Sequence, residues 1–273
     1  MNLHHQVAVL TGAASGIGRA TALALARRGC HLALADIDAT GLAETAAQAQ
    51  ALGAAFHTTT SQHVLDVASR EAVAALPAAV LAVHGRVSLL VNNAGVALGG
   101  PFDQVSEADF DWLMEINFHG LVRMTRAFLP QLRQQGAARI VNISSVYGLI
   151  SPPGQTAYSA AKFAVRGFSN ALRHELAGGP VGVTVVHPGG VATNIARRAR
   201  LPAGVPPAEV QAGLARAEKM LRLPAAAAAE AIVRGIEADR ARVLVGGDAR
   251  FIALLERLLP VRHWALLARL LPA

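Results

Sequence analysis

Short runs of continuous apolar residues alternate along the chain with longer segments in which apolar residues recur every three or four positions. The runs predict seven β-strands, at residues 6–10, 31–35, somewhere within 54–65, and at 87–92, 139–144, 181–187 and 243–245. Apolar runs without polar alternation are typical of parallel strands that are buried on both faces. The pattern therefore predicts a parallel sheet that is covered on both sides.

The segments between these strands carry helical periodicity. They predict helices that end near residue 28 and lie at 39–52, 69–84, 106–133 and 156–176, and the alanine run 225–229 is also expected to be helical. Ser106 followed by Asp109 is a helix-start signal, and Pro77 is expected to kink its helix. The Gly-, Pro- and Arg-rich segment 189–207 is expected to form a long loop.

Strands that alternate with helices predict βαβ units and an α/β fold. Right-handed crossovers then place helices on both faces of a doubly wound parallel sheet. No linker or repeat interrupts the pattern, so a single domain is expected over residues 1–247. Residues 248–273 are expected to form a helical C-terminal extension, in which Pro260 separates two leucine-rich helices.

The composition excludes several classes of protein. Of the 273 residues, 53% are hydrophobic and 16% are charged, which excludes general disorder. The single cysteine, Cys30, excludes an internal disulfide framework and a cysteine-based zinc site. The N-terminal segment lacks the pattern of an export signal and no uncharged apolar stretch is long enough to span a membrane, so a cytoplasmic location is expected.

A formal net charge of +7 and a pI near 10.8 require nucleic-acid binding to be weighed. The basic residues are spread along the chain, and the few aromatic residues do not lie among them. This arrangement favours a solvated, arginine-rich surface, and no nucleic-acid partner is expected. The ten histidines show no paired spacing beside a carboxylate, so no metal is expected.

A glycine-rich turn follows the first predicted strand in the segment VAVLTGAASGIGRATALALARRG. Glycines allow the backbone to approach a ligand closely, and the start of the next helix offers unpaired N–H groups to phosphate. The turn therefore predicts a dinucleotide site rather than a tight turn alone, although its G-x-x-x-G-x-G spacing differs from the common G-x-G-x-x-G pattern. The residues expected to bind are Gly12, Ser15, Gly16, Ile17 and Gly18.

Asp36 follows the second predicted strand, where a carboxylate can accept hydrogen bonds from the adenosine ribose and repel a 2′-phosphate. Positions 15 and 37 carry Ser15 and Ile37 and supply no positive charge for such a phosphate. These features favour NAD over NADP as the cofactor. The alternative is that Asp36 only caps the next helix, a role that Asp38 is also placed to fill.

Tyr158 and Lys162 lie one helical turn apart in the predicted helix 156–176 and share one face. The chain has two tyrosines, and only two of its 25 basic side chains, Lys162 and Lys219, are lysines. Chance therefore rarely produces this pair. A neighbouring ammonium and an oxidised nicotinamide should both lower the pKa of the Tyr158 phenol, which makes it the expected acid and base in alcohol oxidation.

Several further segments occur in a characteristic order: TGAASGIG at 11–18, NNAG at 92–95, Asn117, Ser145, YSAAK at 158–162 and HPGGVATNI at 187–195. As a set they resemble the short-chain dehydrogenase/reductase family over about residues 5–247. The resemblance implies one Rossmann-like domain with strand order 3-2-1-4-5-6-7. It also implies a homotetramer or a homodimer.

The resemblance implies roles at the reaction centre. Ser145 would polarise a carbonyl or hold an alcohol oxygen, and Lys162 would also bind the nicotinamide ribose. Asn117 would anchor a water that relays protons to Lys162, or would only bond local backbone. Tyr147 would line the substrate pocket or only pack. The expected catalytic residues are Asn117, Ser145, Tyr158 and Lys162, and the expected substrate contacts are Ser145, Tyr147 and Tyr158.

The resemblance also implies further cofactor contacts. Asp66 and Val67 would touch the adenine ring. Residues 93–95 would pack beside the adenosine, or would form only a structural turn. The segment 188–193 would contact the nicotinamide carboxamide. The expected residues of these last two segments are Asn93, Ala94, Gly95, Pro188, Gly189, Val191 and Thr193.

The expected function is NAD-dependent interconversion of a secondary alcohol and a ketone. Apolar residues within 189–223 favour a hydrophobic substrate. The alternatives are an NADP-dependent ketone reductase and a non-catalytic NAD-binding regulatory protein, which would not need Ser145, Tyr158 and Lys162 together. The extension 248–273 would pack on a neighbouring subunit, which is favoured, or cover the substrate pocket, or lie on a membrane surface.

Overall fold

A seven-stranded parallel sheet forms the centre of the computed structural model, which describes residues 1–270 and so leaves 271–273 of the expected extension outside the described residues. Its strands are β1 (Val7–Thr11), β2 (His31–Asp36), β3 (Thr60–Val64), β4 (Leu89–Asn92), β5 (Ala138–Ile143), β6 (Val181–Pro188) and β9 (Arg242–Val245). They are ordered β3-β2-β1-β4-β5-β6-β9. Two shorter strands, β7 (Val191–Ala192) and β8 (Leu223–Pro224), pair with each other.

Helices connect the strands and cover both faces of the sheet. They are α1 (Gly16–Ala26), α2 (Ala39–Gly53), α3 (Arg70–His84), α4 (Glu107–Met114), α5 (Leu121–Arg133), α6 (Thr156–Glu175), α7 (Pro207–Met220), α8 (Ala225–Glu237), α9 (Gly247–Leu258) and α10 (His263–Leu270). A π-helical turn, Glu115–Gly120, joins α4 to α5, and short 3₁₀ turns lie at Ala54–Phe56 and Val146–Gly148.

The predicted α/β fold is confirmed, and so is the strand order 3-2-1-4-5-6-7 for the main sheet. The seventh sheet strand is β9 along the chain because β7 and β8 form outside the main sheet. The predicted helix start is also confirmed, since the Ser106 side chain accepts a hydrogen bond from the backbone N–H of Asp109 at 3.1 Å. The division of the chain after residue 247 stays a prediction.

Three details bear on the expectations. The helix α3 continues through Pro77 to His84, with Val73, Leu76 and Val80 buried in the core, and the predicted kink at Pro77 stays a prediction. The predicted helix 106–133 is divided by the π-helical turn. The predicted loop 189–207 contains β7 and leads into α7, whose start is favoured by the fixed backbone angle of Pro207 in its first turn.

The buried core lies on both sides of the sheet. On one side, α1, α2 and α8 pack on strand residues that include Leu10, Leu32 and Val245. On the other side, α3, α5 and α6 pack on residues that include Val9 and Ile140. Because the strands are parallel, their carboxyl ends meet at one edge of the sheet, where ligands of such folds bind.

Candidate functional site

The glycine turn after β1 is packed too closely to accept side chains at its glycine positions. Gly12 has a φ of +66°, which favours glycine, and a Cβ there would lie 2.7 Å from the Asn93 side-chain nitrogen. A Cβ on Gly18 would overlap the Gly12 carbonyl oxygen. Ser15 precedes the first turn of α1 and makes no side-chain cap, so the N–H groups of that turn remain available to a ligand. This is the cradle that a pyrophosphate requires.

Asp36 ends β2 beside this turn. One of its oxygens accepts a hydrogen bond from the Ala14 backbone N–H at 2.9 Å, and the other accepts one from the Asp38 N–H at 3.0 Å. Asp38 caps α2 by accepting from the Gly41 N–H at 3.0 Å. Asp38 is therefore the residue that caps α2, a role that the sequence also allowed for Asp36. Each Asp36 oxygen keeps a lone pair for a further donor, such as a ribose hydroxyl.

The turn after β4 is tied to the glycine turn. The Asn93 side-chain amide donates to the carbonyl oxygens of Thr11 and Gly12 at 3.1 and 3.0 Å. The Ala94 N–H donates to the Thr11 hydroxyl at 3.1 Å. These bonds give residues 93–95 a structural role, which the sequence left open, and they also place the segment at the ligand-binding edge.

Ser145, Tyr158 and Lys162 converge at the end of β5. Ser145 follows that strand and α6 carries the other two residues. The Lys162 Nζ lies 5.5 Å from the centre of the Tyr158 ring and donates to the Ile143 carbonyl oxygen at 3.1 Å. The Ser145 hydroxyl accepts a hydrogen bond from the Tyr147 N–H at 3.1 Å and lies close enough to the Tyr158 phenol to act on its pKa. The Tyr147 ring meets the Tyr158 ring edge-on, with centres 6.1 Å apart.

Burial governs the protonation of this group. It raises the pKa of Tyr158 to about 12, although the hydrogen bond with Ser145 acts in the opposite direction. Burial also lowers the pKa of Lys162 to about 8. The lowering that the sequence predicts for Tyr158 includes the charge of a bound nicotinamide and stays a prediction; among the protein's own groups, desolvation of the phenolate dominates and raises the pKa.

Asn117 lies within the π-helical turn, and both ends of its amide are used locally. Its Oδ1 accepts from the Val96 N–H at 2.8 Å, and its Nδ2 donates to the Val96 carbonyl at 2.9 Å. The side chain therefore bonds local backbone, as the alternative expectation had it. A Cβ on Gly95 would lie 3.1 Å from Asn117 Oδ1 and 3.5 Å from Lys162 Nζ, so both side chains border the same narrow space.

The remaining predicted residues lie along the same edge. Thr193 approaches Gly16, where a Cβ would lie 3.1 Å from its methyl group. Asp66 is exposed and accepts a hydrogen bond from the Ala68 N–H at 2.8 Å. The Val67 side chain is buried against the backbone of Gly120 and points into the core. The other predicted positions are Ile17 in α1, Pro188 at the end of β6, Gly189 after it and Val191 in β7.

Asp248 and His187 support the site but were missed as site residues by the sequence analysis. The Asp248 carboxylate accepts from the Gly190 N–H at 2.6 Å and holds the turn after β6. The His187 ring is fully buried, and its Nδ1 bonds the Ser145 carbonyl oxygen at 2.9 Å. Since a carbonyl only accepts, Nδ1 carries the proton. In the sequence His187 appears only as the first residue of the segment 187–195, which held no signal for this contact.

Two clefts border the glycine turn. One has a volume of about 390 Å³ and the other of about 550 Å³. Both contain Gly16, Arg19 and Asn194, and the smaller one also contains Ser15 and Arg198. Arg19, Asn194 and Arg198 were not predicted as site residues. Arg19 is already engaged, since it donates to the Ala14 and Gly41 carbonyls and to Glu44.

A strap formed by residues 195–206 crosses toward the loop that follows β4. The Arg200 N–H donates to the Ala97 carbonyl, and its own carbonyl accepts from the Gly99 N–H, both at 3.0 Å. Its guanidinium bonds Asp109 at 3.0 Å and lies 3.6 Å from the centre of the Trp112 ring. These contacts hold the strap on α4 and on the loop that follows β4.

The C-terminal helices α9 and α10 pack beside Tyr147 in the same chain. Leu255 and Leu267 are buried with Ile150, and Tyr147 packs against this cluster. Within residues 1–270, no three metal-binding side chains are grouped to hold an ion. No helix in that range has both the length and the apolar character needed to cross a bilayer.

Comparison with known proteins extends this picture. Residues 6–203 match the family model described as short chain dehydrogenase. SadH of Mycobacterium tuberculosis, which is named as an oxidoreductase, is 46% identical over 267 residues, or 96% of this chain and 94% of that protein. Estradiol 17-beta-dehydrogenase 11 of Macaca fascicularis is 33% identical over 267 residues, and the match covers 97% of this chain and 82% of that protein.

Solved structures show the same likeness. A short chain dehydrogenase/reductase from Burkholderia phymatum, crystallised in complex with NAD, superposes with a TM-score of 0.84. Its sequence is 34% identical, and the match covers 94% of this chain and 95% of that one. The sheet, the glycine turn and the segment around Tyr158 therefore have counterparts in known proteins over nearly the full length.

Proposed function

Because the chain belongs to the short-chain dehydrogenase family, we propose that it is an NAD-dependent oxidoreductase that interconverts a secondary alcohol and a ketone. One observation carries the proposal. Ser145, Tyr158 and Lys162 come together at the carboxyl edge of the sheet, beside a glycine turn that leads into the uncapped start of α1 and borders a cleft of about 390 Å³. A purely regulatory NAD-binding protein would not need a serine, a phenol and an amine at this point.

The residues around the glycine turn fit NAD. The first turn of α1 offers backbone N–H groups to the pyrophosphate, and the Asp36 carboxylate at the end of β2 is placed for the adenosine ribose. The Burkholderia phymatum relative was crystallised with NAD. When bound, the dinucleotide supplies the hydride acceptor for oxidation or, in reduced form, the donor for reduction.

Three side chains would then handle the substrate oxygen and its proton. The Ser145 hydroxyl would hold the oxygen, and the Tyr158 phenol would exchange a proton with it. With a pKa of about 12, Tyr158 is protonated at neutral pH, the form that donates to a ketone oxygen. The buried Lys162 amine, with a pKa of about 8, would bind the nicotinamide ribose. It also borders the narrow space beside Asn117.

The surroundings of the two tyrosines favour an apolar substrate. Tyr158 packs with Val96 and Leu98, and Tyr147 packs against Ile150 and the C-terminal helices. An apolar substituent on the carbinol carbon would be buried favourably on these surfaces. We propose a hydrophobic ketone or secondary alcohol as the substrate, and a homodimer or homotetramer as the assembly.

The test is a NADH-fluorescence screen of purified protein against a panel of secondary alcohols and ketones, with NAD(H) and NADP(H) in parallel. For the best substrate, Tyr158→Phe should lower kcat by at least about a thousandfold, because the phenol supplies the proton. NADH binding, followed by fluorescence titration, should change little.

Tyr147→Phe is the matched control, because the chain has two tyrosines and this one packs beside the other. It should retain turnover and change mainly KM. Substantial turnover in Tyr158→Phe would contradict the assigned role of Tyr158. No activity on any member of the panel, together with tight NADH binding, would favour the regulatory alternative.

A further inference from the structure

The outer face of the C-terminal helices carries a dense group of apolar side chains in solvent. Exposed apolar residues occur along α9, α10 and the turn between them: Phe251, Leu254, Leu258, Leu259, Val261 and Leu266. The end of α9 and the turn after it are the most exposed part, with Leu258 66% and Val261 88% accessible. Contiguous exposed apolar surface on a soluble protein marks an interaction site.

Arginines border this apolar face. On α9, Arg250 and Arg257 lie four residues before and three residues after Leu254, so all three share one side of the helix. Arg262 follows Val261 in the turn, and Arg269 lies on the exposed side of α10 next to Leu266. All four arginines are exposed. The surface formed by these four arginines and six apolar residues is called the C-terminal face below.

The inner side of the same helices is fixed to the protein. Leu255 and Leu267 are buried together with Ile150. The two acidic residues of the described segment after Gly247 are engaged elsewhere: Asp248 bonds the Gly190 N–H, and Glu256 lies 3.9 Å from Arg166. The C-terminal face is therefore held in place, its own segment supplies no free carboxylate, and none of its four arginines forms an ion pair within residues 1–270.

This charge pattern decides between two occupants. In a symmetric dimer, a surface meets its own copy, so four arginines would approach four arginines with no acid between them. An anionic lipid surface offers phosphate to the arginines and acyl chains to the leucines, and an amphipathic face of this composition is typical of helices that lie in a bilayer interface.

We propose that the C-terminal face docks the protein on anionic phospholipid membranes, with the turn around Val261 entering the acyl region. The docking extends beyond the proposed catalytic function and does not depend on it. It would place the cluster around Ile150 and Tyr147 next to the bilayer, where apolar ketones and alcohols partition. Among the three alternatives drawn from the sequence, the structure thus favours the membrane surface for the outer side of the extension.

The test uses the full chain and vesicle co-sedimentation. Vesicles of phosphatidylcholine alone are compared with vesicles that contain about one third phosphatidylglycerol. The wild-type protein should sediment with the anionic vesicles and stay in solution with the neutral ones. Raising the salt concentration to about 0.5 M should weaken binding, because the ions screen the arginines.

Two variants separate the apolar and electrostatic contributions. Leu258→Glu with Val261→Glu should abolish sedimentation. Arg257→Gln with Arg262→Gln should weaken the partition coefficient about 25-fold, at roughly fivefold per arginine. The matched controls are Val83→Glu and the pair Arg126→Gln with Arg133→Gln, which change exposed residues of α3 and α5 and should bind like wild type.

Gel filtration and thermal denaturation of each variant complete the design. Unchanged melting and elution, together with lost binding, would support the proposal. Wild-type protein that ignores anionic vesicles would overturn it, and so would equal binding by Leu258→Glu with Val261→Glu. If that double variant instead elutes as a smaller species while wild type does not bind vesicles, the face is an interface between copies and the proposal is wrong.

Discussion

One buried region contains Tyr158, Lys162 and His187. Burial shifts the pKa of each side chain in the direction that favours its neutral form. Ser145 connects Tyr158 and His187, because its hydroxyl acts on the pKa of Tyr158 and its carbonyl accepts a hydrogen bond from His187. The imidazole thereby fixes the backbone that presents the serine. At the scale of single residues, desolvation rather than charge pairing sets the chemistry of the site.

Acid should destabilise the protein through His187. Burial lowers its pKa from 6.5 to about 4, so the unfolded chain binds the proton more readily and stability falls as the pH drops through that window. Between pH 7.5 and pH 5, this loss amounts to about 2 kcal/mol of unfolding free energy. His63 and His84 also have lowered pKa values and contribute separately. Urea titrations of wild type and His187→Asn at both pH values measure the difference.

In His187→Asn, the loss between the two pH values should be smaller by about that amount. An equal loss in both proteins would show that His187 is not the group responsible. The other histidines remain in both proteins and serve as the internal control.

Asp36→Ala should weaken NAD binding and narrow its advantage over NADP, because the variant loses the carboxylate that is placed for the ribose and that repels a 2′-phosphate. We expect about a tenfold rise in KM for NAD, which corresponds to the loss of one charge-assisted hydrogen bond. Asp38→Ala is the control. It removes the cap of α2 and should cost about 1 kcal/mol of stability without changing cofactor preference.

At the scale of elements, the strap of residues 195–206 shows how a loop becomes part of a site. Its sequence indicated a loop, but the position of the strap depends on contacts with α4, about 90 positions earlier in the chain. Arg200 joins the two through the Asp109 carboxylate and the Trp112 ring. The strap is therefore positioned by one arginine and by two backbone bonds to residues 97 and 99.

Arg200→Ala should open the strap more often and raise KM for the substrate about two- to fivefold, the factor that a cation–π contact at an exposed site is worth. The value of kcat should change less, because Ser145 and Tyr158 are held by other elements. Arg216→Ala on α7 removes another exposed arginine and is the comparison. Equal kinetic constants in Arg200→Ala and wild type would show that the contact does not position the strap.

At the scale of the whole molecule, the C-terminal helices complete one wall of the region around the site. Ile252 and Trp264 pack against the same cluster as Tyr147. This packing occurs within one chain and leaves uncovered the outer side of the helices, for which the sequence favoured contact with a neighbouring subunit. The helices α9 and α10 therefore link the reaction centre to the outer surface of the protein.

Truncation after Arg250 should lower the unfolding free energy by about 3 kcal/mol or more, because it uncovers the cluster around Ile150. Asp248 remains in this variant and still holds Gly190. Thermal denaturation and substrate KM measure the effect, and bulky substrates should lose most. If melting and kinetics are both unchanged, the extension is independent of residues 1–247.

Much of this protein was predictable from short-range patterns. Apolar runs and helical periodicity predict the sheet and most helices, because neighbouring residues set those periods. The glycine turn and the Tyr158–Lys162 spacing likewise depend on residues within about eight positions of one another. The order of the strands followed from the family resemblance, which these motifs carried.

Only the tertiary structure decided the rest. The pKa values of Tyr158, Lys162 and His187 depend on burial by distant segments, and the Asp248 bond to Gly190 spans 58 positions. Desolvation and long-range contacts exist only after the chain has folded. The linear pattern therefore identified the residues with motif signals, such as Ser145, Tyr158 and Lys162, while packing determined their protonation, the supporting residues and which surface of the protein remains uncovered.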